Sequence, residues 1–327
     1  MDRWVGILKV PLHPDSNSFY RVAASLCLSS SKALAVPSAN VIFFNGDRVE
    51  GTGNPVIEKL SNPQNISEIL VSKFGARVNA WVVDAPIFNG PFAIYKDFIP
   101  NVNQNGEPIS YDATGFPASS SIVLLLYNCL KEAKSSVVRE QKEKYQTELP
   151  NTSASNPKTL VLGFSKGGSV VNQLVTELGL LAVKHNGNGG QPSKKGISVG
   201  RAIREEDQFI PTSTEAFLNS ITEIHYVDVG LNAEGAYLTN QDVFDRLSDY
   251  LKQRRLGIRF LLHGTPRQWC DTWRIWISKE KDAMVRLLTQ VARKNMGKLL
   301  IRERLYFPGS PPSLQMHFEI IENLDVS

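Results

Sequence analysis

The chain has 327 residues, 42% of them hydrophobic and 21% charged, a balance that fits an ordinary globular protein and excludes an intrinsically disordered one. Its longest apolar run, around residues 122–126, is far short of the roughly 20 residues that span a bilayer, so no transmembrane segment is expected. The net charge of +4 is local: Lys184, Lys194, Lys195, Arg201 and Arg204 stand in residues 184–204 with no acid among them, and without interleaved aromatics they do not suggest a nucleic-acid surface.

Taken in order, residues 4–10 alternate like a strand, and residues 40–44 (Asn-Val-Ile-Phe-Phe) read as a buried one ending in Asn45-Gly46-Asp47. A helix is expected over 65–74 and a strand over 79–84, followed by a Pro/Gly-rich loop to about residue 117. Residues 119–133 have strong helical spacing, continued by a mixed-charge segment to 148 and a Ser/Asn/Thr linker over 150–157. After a strand and helix around residue 165 comes a Gly-rich basic insert, about 184–213. Strands are then expected at 221–229, 258–262 and 298–305, and helices at 242–253, 279–293 and 317–324. Trp269, Trp273 and Trp276 would share one face if their segment were helical, and core packing is the expectation for them. Alternation of strands and helices predicts a single α/β domain over 1–327, with a mostly parallel central sheet and helices on both faces.

Three odd, widely spaced cysteines (Cys27, Cys129, Cys270) argue against a disulfide framework and for a reducing compartment. The first residues hold an early acid and no secretory h-region, so a cytoplasmic location is expected. Residues 16–46 are Ser- and Ala-rich and acid-free, as in organellar presequences, but the core strand at 40–44 argues against cleavage beyond it.

The most informative stretch is Leu160-Val161-Leu162-Gly163-Phe164-Ser165-Lys166-Gly167 with the helical pattern Val170, Val171, Leu174, Val175, Leu178 behind it. A bare G-x-S-x-G arises by chance in roughly one chain in seven of this length. The strand before it and the helix after it are what a nucleophile elbow requires, and they make the chance reading far weaker. Small residues at 163 and 167 relieve the crowding of so sharp a turn.

A serine hydroxyl needs a histidine to take its proton and a carboxylate to fix that histidine's tautomer. In chain order after the elbow, His317 follows the last strand and is the expected base. His225 reads as structural, and His263, closing a strand at the sheet's carboxyl edge, as a weaker candidate for lining the site. The common Gly-x-x-Asp slot holds Gly264-Thr265-Pro266-Arg267 instead, which leaves Asp228 and Asp271 as candidate acids. Asp228 ends an apolar strand, where a carboxylate needs a donor, and is favoured to orient His317. Asp271, beside Arg267 and Arg274, is favoured as an ion-pair residue. The Lys166 amide and the loop at Gly46 are the expected oxyanion donors, although Asn45-Gly46 reads equally well as a plain turn. The Lys166 ammonium is expected either beside an anionic substrate or in solvent. No metal or nucleotide motif occurs, and no cofactor is expected.

At Gly163–Gly167, Tyr226-Val227-Asp228-Val229-Gly230, Trp276-Ile277-Ser278-Lys279-Glu280 and Pro312-Ser313 leading to His317-Phe318, the chain resembles the chromosome 2 open reading frame 69 family. The resemblance implies an α/β-hydrolase fold, a serine site at Ser165 and His317, and a mitochondrial location as in animal members. Two functions follow as expectations. One is hydrolysis of an ester, thioester or related acyl bond of a small-molecule substrate through an acyl-enzyme on Ser165. The alternative is a catalytically inactive hydrolase fold serving as a protein-binding scaffold.

Overall fold

The structure is a computed structural model that describes residues 2–16, 18–140, 157–187 and 208–327. Its framework is an eight-stranded sheet of β1 (Arg3–Pro11), β2 (Phe19–Cys27), β3 (Ala39–Phe44), β4 (Val78–Val83), β7 (Lys158–Phe164), β8 (Ile221–Val227), β9 (Ile258–Gly264) and β10 (Leu299–Leu305). A separate hairpin, β5 (Ile87–Asn89) with β6 (Phe92–Ile94), stands after β4. The large sheet has the order β1-β2-β4-β3-β7-β8-β9-β10. β2 runs antiparallel to both β1 and β4, and every pair from β4 to β10 is parallel. This is the topology of the α/β-hydrolase fold.

Hydrophobic pattern accounts for the layout. β3 and β4 are buried at every position, as parallel strands covered on both faces must be. Edge strand β10 is mostly exposed and carries Arg302, Glu303 and Arg304, which suits an edge. One face is covered by α3 (Pro117–Glu140), α4 (Gly168–Gly187), α6 (Gln241–Gln253) and α8 (Ile275–Lys294). The other is covered by α1 (Pro55–Leu60), α2 (Pro63–Phe74) and α9 (Leu314–Asn323). The short helices α5 (Thr214–Ser220) and α7 (Pro266–Trp269) precede β8 and follow β9.

The chain leaves β3 toward β4 on one side and returns through β7 on the other. The β3/β7 boundary is therefore a topological switch point, where the loops diverge and open a crevice at the carboxyl ends of the strands. Residues 45–47 and Ser165 sit at that boundary.

Several expectations need correction. The Ser/Ala-rich stretch after residue 16 contains β2, whose composition has weak strand preference but whose Tyr20 and Val22–Cys27 are buried between β1 and β4. The three tryptophans do not share a helix. Asp271 Oδ1 accepts from the Trp273 and Arg274 amides at 2.8 and 3.2 Å, a turn that separates α7 from α8 and leaves Trp273 90% exposed. The final helix begins at Leu314, because the Ser313 hydroxyl caps the Met316 amide at 3.1 Å. His317 thus lies at the end of its first turn rather than at its first residue. Of the predicted insert 184–213, residues 188–207 lie outside the described residues, as do 141–156 of the mixed-charge segment and linker.

Candidate active site

β7 ends at Phe164 and Ser165 opens a 3₁₀ turn, Ser165–Gly167, that runs into α4. Ser165 has φ +52°, a left-handed conformation that costs a non-glycine residue about 1–3 kcal/mol and is held only by its surroundings. A Cβ at Gly163 would meet the Gly167 carbonyl oxygen at 2.6 Å, and one at Gly167 would meet the Phe44 carbonyl oxygen at 2.1 Å. Both glycines are thus required by backbone crossing backbone, and the second packs the elbow directly on the end of β3. No side chain caps this helix start. The Lys166 amide in its first turn accordingly has no intrahelical acceptor.

Gly46 approaches from β3. A Cβ there would lie 2.6 Å from Ser165 Cβ and 3.1 Å from Ser165 Oγ, so the loop backbone is in contact with the serine side chain itself. The Gly46 amide donates to Asn45 Oδ1 at 3.1 Å. Four further groups hold the loop. The buried Tyr95 hydroxyl donates to the Asn45 carbonyl at 2.8 Å, and Asn45 Nδ2 donates to Asp84 Oδ1 at 3.0 Å. Asp47 Oδ1 accepts from the Ala93 amide of β6 and from Lys166 Nζ, both at 2.8 Å.

The Lys166 side chain therefore points neither at substrate nor into solvent. It is 1% exposed, and its ammonium also donates to the Asn105 carbonyl at 2.8 Å and lies 4.7 Å from the Phe92 ring centroid. The tight turn directs it toward the 45–47 loop, where Asp47 neutralises it. Nothing in the one-dimensional pattern signals this pairing, because the two residues are remote in sequence.

Asp228 is the residue after β8 and is fully buried, with φ +44°. Its Oδ1 accepts from the Thr265 amide at 2.7 Å, and its Oδ2 accepts from the Thr265 hydroxyl at 2.9 Å and from His317 Nδ1 at 2.6 Å. A carboxylate so placed is satisfied by donors alone, so the imidazole carries its proton on Nδ1 and leaves Nε2 as an acceptor. The His317 ring stacks on Phe164, the residue before Ser165, with centroids 4.5 Å apart. Thr265, which fastens the carboxylate with two bonds, escaped the sequence reading; its place after the strand-ending Gly264 was the available signal.

Asp271 lies elsewhere. Its Oδ2 pairs with Arg274 Nε at 2.8 Å. Burial pushes its carboxyl up, but the Trp273 amide and Arg274 outweigh that and hold it below the usual aspartate range. His263 is buried rather than lining the crevice. Its Nε2 lies 3.1 Å from His225 Nδ1 and its Nδ1 lies 2.9 Å from the Tyr306 hydroxyl. Burial holds both imidazoles below the ordinary histidine value, His263 well below, with His225 adding to its shift. No group of three or more His, Cys, Asp or Glu suited to a metal ion occurs among the described residues.

The arrangement can bring together a strained serine at a helix start, an imidazole fixed by a buried carboxylate, and backbone amides beside the serine. Comparison with known proteins adds the lineage. The family model described as C2orf69 matches residues 123–294, more than half of the chain. The chain belongs to the C2orf69 family. It is 23% identical over 329 residues to human "Mitochondrial protein C2orf69", covering 88% of this chain and 74% of that one. The mouse "Mitochondrial protein C2orf69 homolog" is 25% identical over 174 residues, 53% of this chain but only 37% of the mouse protein. Among solved structures, a ferulic acid esterase aligns over 99% of this C2orf69-family chain and 96% of its own, at 8% identity and a TM-score of 0.45.

Proposed function

We propose that this protein is a serine hydrolase that cleaves an ester, thioester or related acyl bond of a small molecule. The observation that carries the reading is the buried Asp228–His317 pair, 2.6 Å apart, stacked against the strand end that presents Ser165 in a strained turn. In the proposed reaction His317 Nε2 takes the hydroxyl proton as Ser165 Oγ bonds to the acyl carbon, and the carbonyl π electrons move onto oxygen. The Lys166 amide faces that oxyanion. The Gly46 amide exchanges its Asn45 acceptor for the same oxygen. Collapse of the intermediate breaks the bond to the leaving group, which departs with the proton from His317. Water, deprotonated by the same nitrogen, then releases the acid and restores Ser165. Asp228 holds the tautomer throughout and stabilises the imidazolium.

A mitochondrial location belongs to the proposal as well, on the ground that the relatives carry it in their names. The test is labelling with a fluorophosphonate probe, with p-nitrophenyl acetate and butyrate as trial substrates. The full chain should be labelled and Ser165→Ala should not. A wild-type protein left unlabelled where other serine hydrolases react would favour the scaffold alternative.

A further inference from the structure

At the opposite, amino-terminal edge of the sheet lies a half-open cavity of about 750 Å³. It is separated from the Ser165 site by the length of β7, roughly 20 Å at ~3.3 Å per residue. Cross-strand register builds its floor. Ala39 of β3 pairs with Val78 and with Lys158, Leu160 of β7 pairs with Glu223, and Glu223 of β8 pairs with Arg259. Side chains alternate along a strand, so Lys158 shares the face of Leu160, the face covered by α2 and α9. The last turn of α2 brings Lys73, and the loop behind it brings Arg77.

The charges in this cavity do not cancel. Among the described residues Glu223 is its one lining acid, and that carboxylate is already engaged by Arg259 at 2.8 Å and by His225 at 3.2 Å. Among the described residues no ion pair joins Lys73, Arg77 or Lys158 to an acid. Three unneutralised cations therefore converge on one concavity, part of whose wall is apolar: Phe74, Leu160 and Val326. Such a wall lowers the local dielectric and focuses the positive potential, which favours a multiply charged anion over bulk chloride. The carboxyl end of α2 offsets a fraction of that potential, and Lys73 stands next to it. Lysine and arginine together suit phosphate, the arginine as a two-pronged donor and the lysines as point charges. The volume lies within the range of small-molecule sites.

We propose that this cavity binds an organic phosphate, with Lys73, Arg77 and Lys158 holding the phosphate and the apolar wall holding the organic part. The site is independent of the hydrolase reading, since it uses none of that site's residues. Calorimetric titration of the full chain tests it with three probes: ADP, inorganic pyrophosphate, and phosphatidylcholine vesicles containing one-fifth phosphatidylglycerol. ADP should bind more tightly than pyrophosphate, and both affinities should fall with added salt. Lys73→Ala/Arg77→Ala, which alters side chains at the cavity rim, should weaken ADP at least about tenfold, as expected for losing two charge-assisted contacts. A distant pair, Lys252→Ala/Lys294→Ala, should leave it unchanged, and matching thermal melts exclude misfolding as the cause. Absence of ADP and pyrophosphate binding at about millimolar concentration, or equal binding by the rim variant, overturns the proposal. Equal affinity for the two probes overturns its organic part. Vesicle binding that depends on Lys73 and Arg77 without ADP binding would assign these cations to a lipid surface and overturn the cavity site. Fluorophosphonate labelling of Ser165, measured alongside, reports separately on the hydrolase reading.

Discussion

Replacing Asp228 by Asn changes one atom in a fully buried group, and its consequence can be followed bond by bond. Asn keeps an oxygen for the Thr265 amide, now 2.7 Å from Oδ1. Its NH₂ then occupies the position of Oδ2, facing the Thr265 hydroxyl and His317 Nδ1, at present 2.9 and 2.6 Å away. The hydroxyl can rotate to accept. The imidazole can accept only if its proton moves from Nδ1 to Nε2, and that proton then blocks the lone pair that must deprotonate Ser165. The equivalent tautomer error in a serine protease lowers turnover about 10⁴-fold, or roughly 5.4 kcal/mol of barrier. The rate constant for fluorophosphonate labelling of Ser165 should therefore fall by about three to four orders of magnitude, with the far-ultraviolet dichroism unchanged. Asp271→Asn, which loosens only the turn to Arg274, should label within about threefold of wild type. Labelling of Asp228→Asn within tenfold of wild type, or a larger loss in Asp271→Asn, would refute the assignment.

Three further outcomes are expected. Gly46→Ala places a methyl 2.6 Å from Ser165 Cβ, so loop and serine must separate by about 1 Å; labelling should slow about 10²-fold with little change in the urea midpoint, and an unaffected rate would disprove the close approach. Lys166→Met leaves the Asp47 carboxylate without its ammonium, only 28% exposed, and should cost about 3 kcal/mol in urea denaturation; a change under about 0.5 kcal/mol would show the pair to be solvated. The pH dependence follows from His225 and His263, whose folded pKa values are held below the ordinary 6.5 by burial. As pH falls below about 6.5 the unfolded chain takes up protons that the folded chain refuses, so stability declines by up to about 1.4 kcal/mol per pH unit per histidine. Glu223, Arg259, Arg304 and Asp325 surround the pair, and the carboxyls of buried Glu177 and half-buried Glu280, raised by desolvation, pull the slope the other way. Comparing His263→Gln with wild type isolates the histidine part; an identical acid-side slope in the two would contradict it.

What the sequence determined by itself is what local chemistry can specify. The buried runs of β3, β4 and β7 carry apolar side chains on both faces, which only a covered parallel sheet can use, and the α/β-hydrolase fold was legible from them. The elbow was legible too, because its glycines, strand and helix are contiguous and the steric demand acts over a few residues. β2 was not, since its strand state comes from pairing with β1 and β4 rather than from its Ser and Ala side chains. Nor does spacing place Trp273: a side chain–backbone turn at Asp271 overrides helical periodicity and leaves the ring in solvent. The place of Asp228 at a strand end favoured it as the partner of His317, but its two bonds from Thr265 are a matter of tertiary structure alone. Asp228 and His317 are 89 residues apart, and their approach depends on where α9 docks against the end of β8. The Lys166–Asp47 pair and the cation-lined cavity arise in the same way, from strands whose order in the sheet is not their order in the chain. Propensity acts through the backbone of near neighbours and can be read from the sequence. Charge pairing, burial and cavity shape act through space, and which side chains meet is decided only once the sheet order is set.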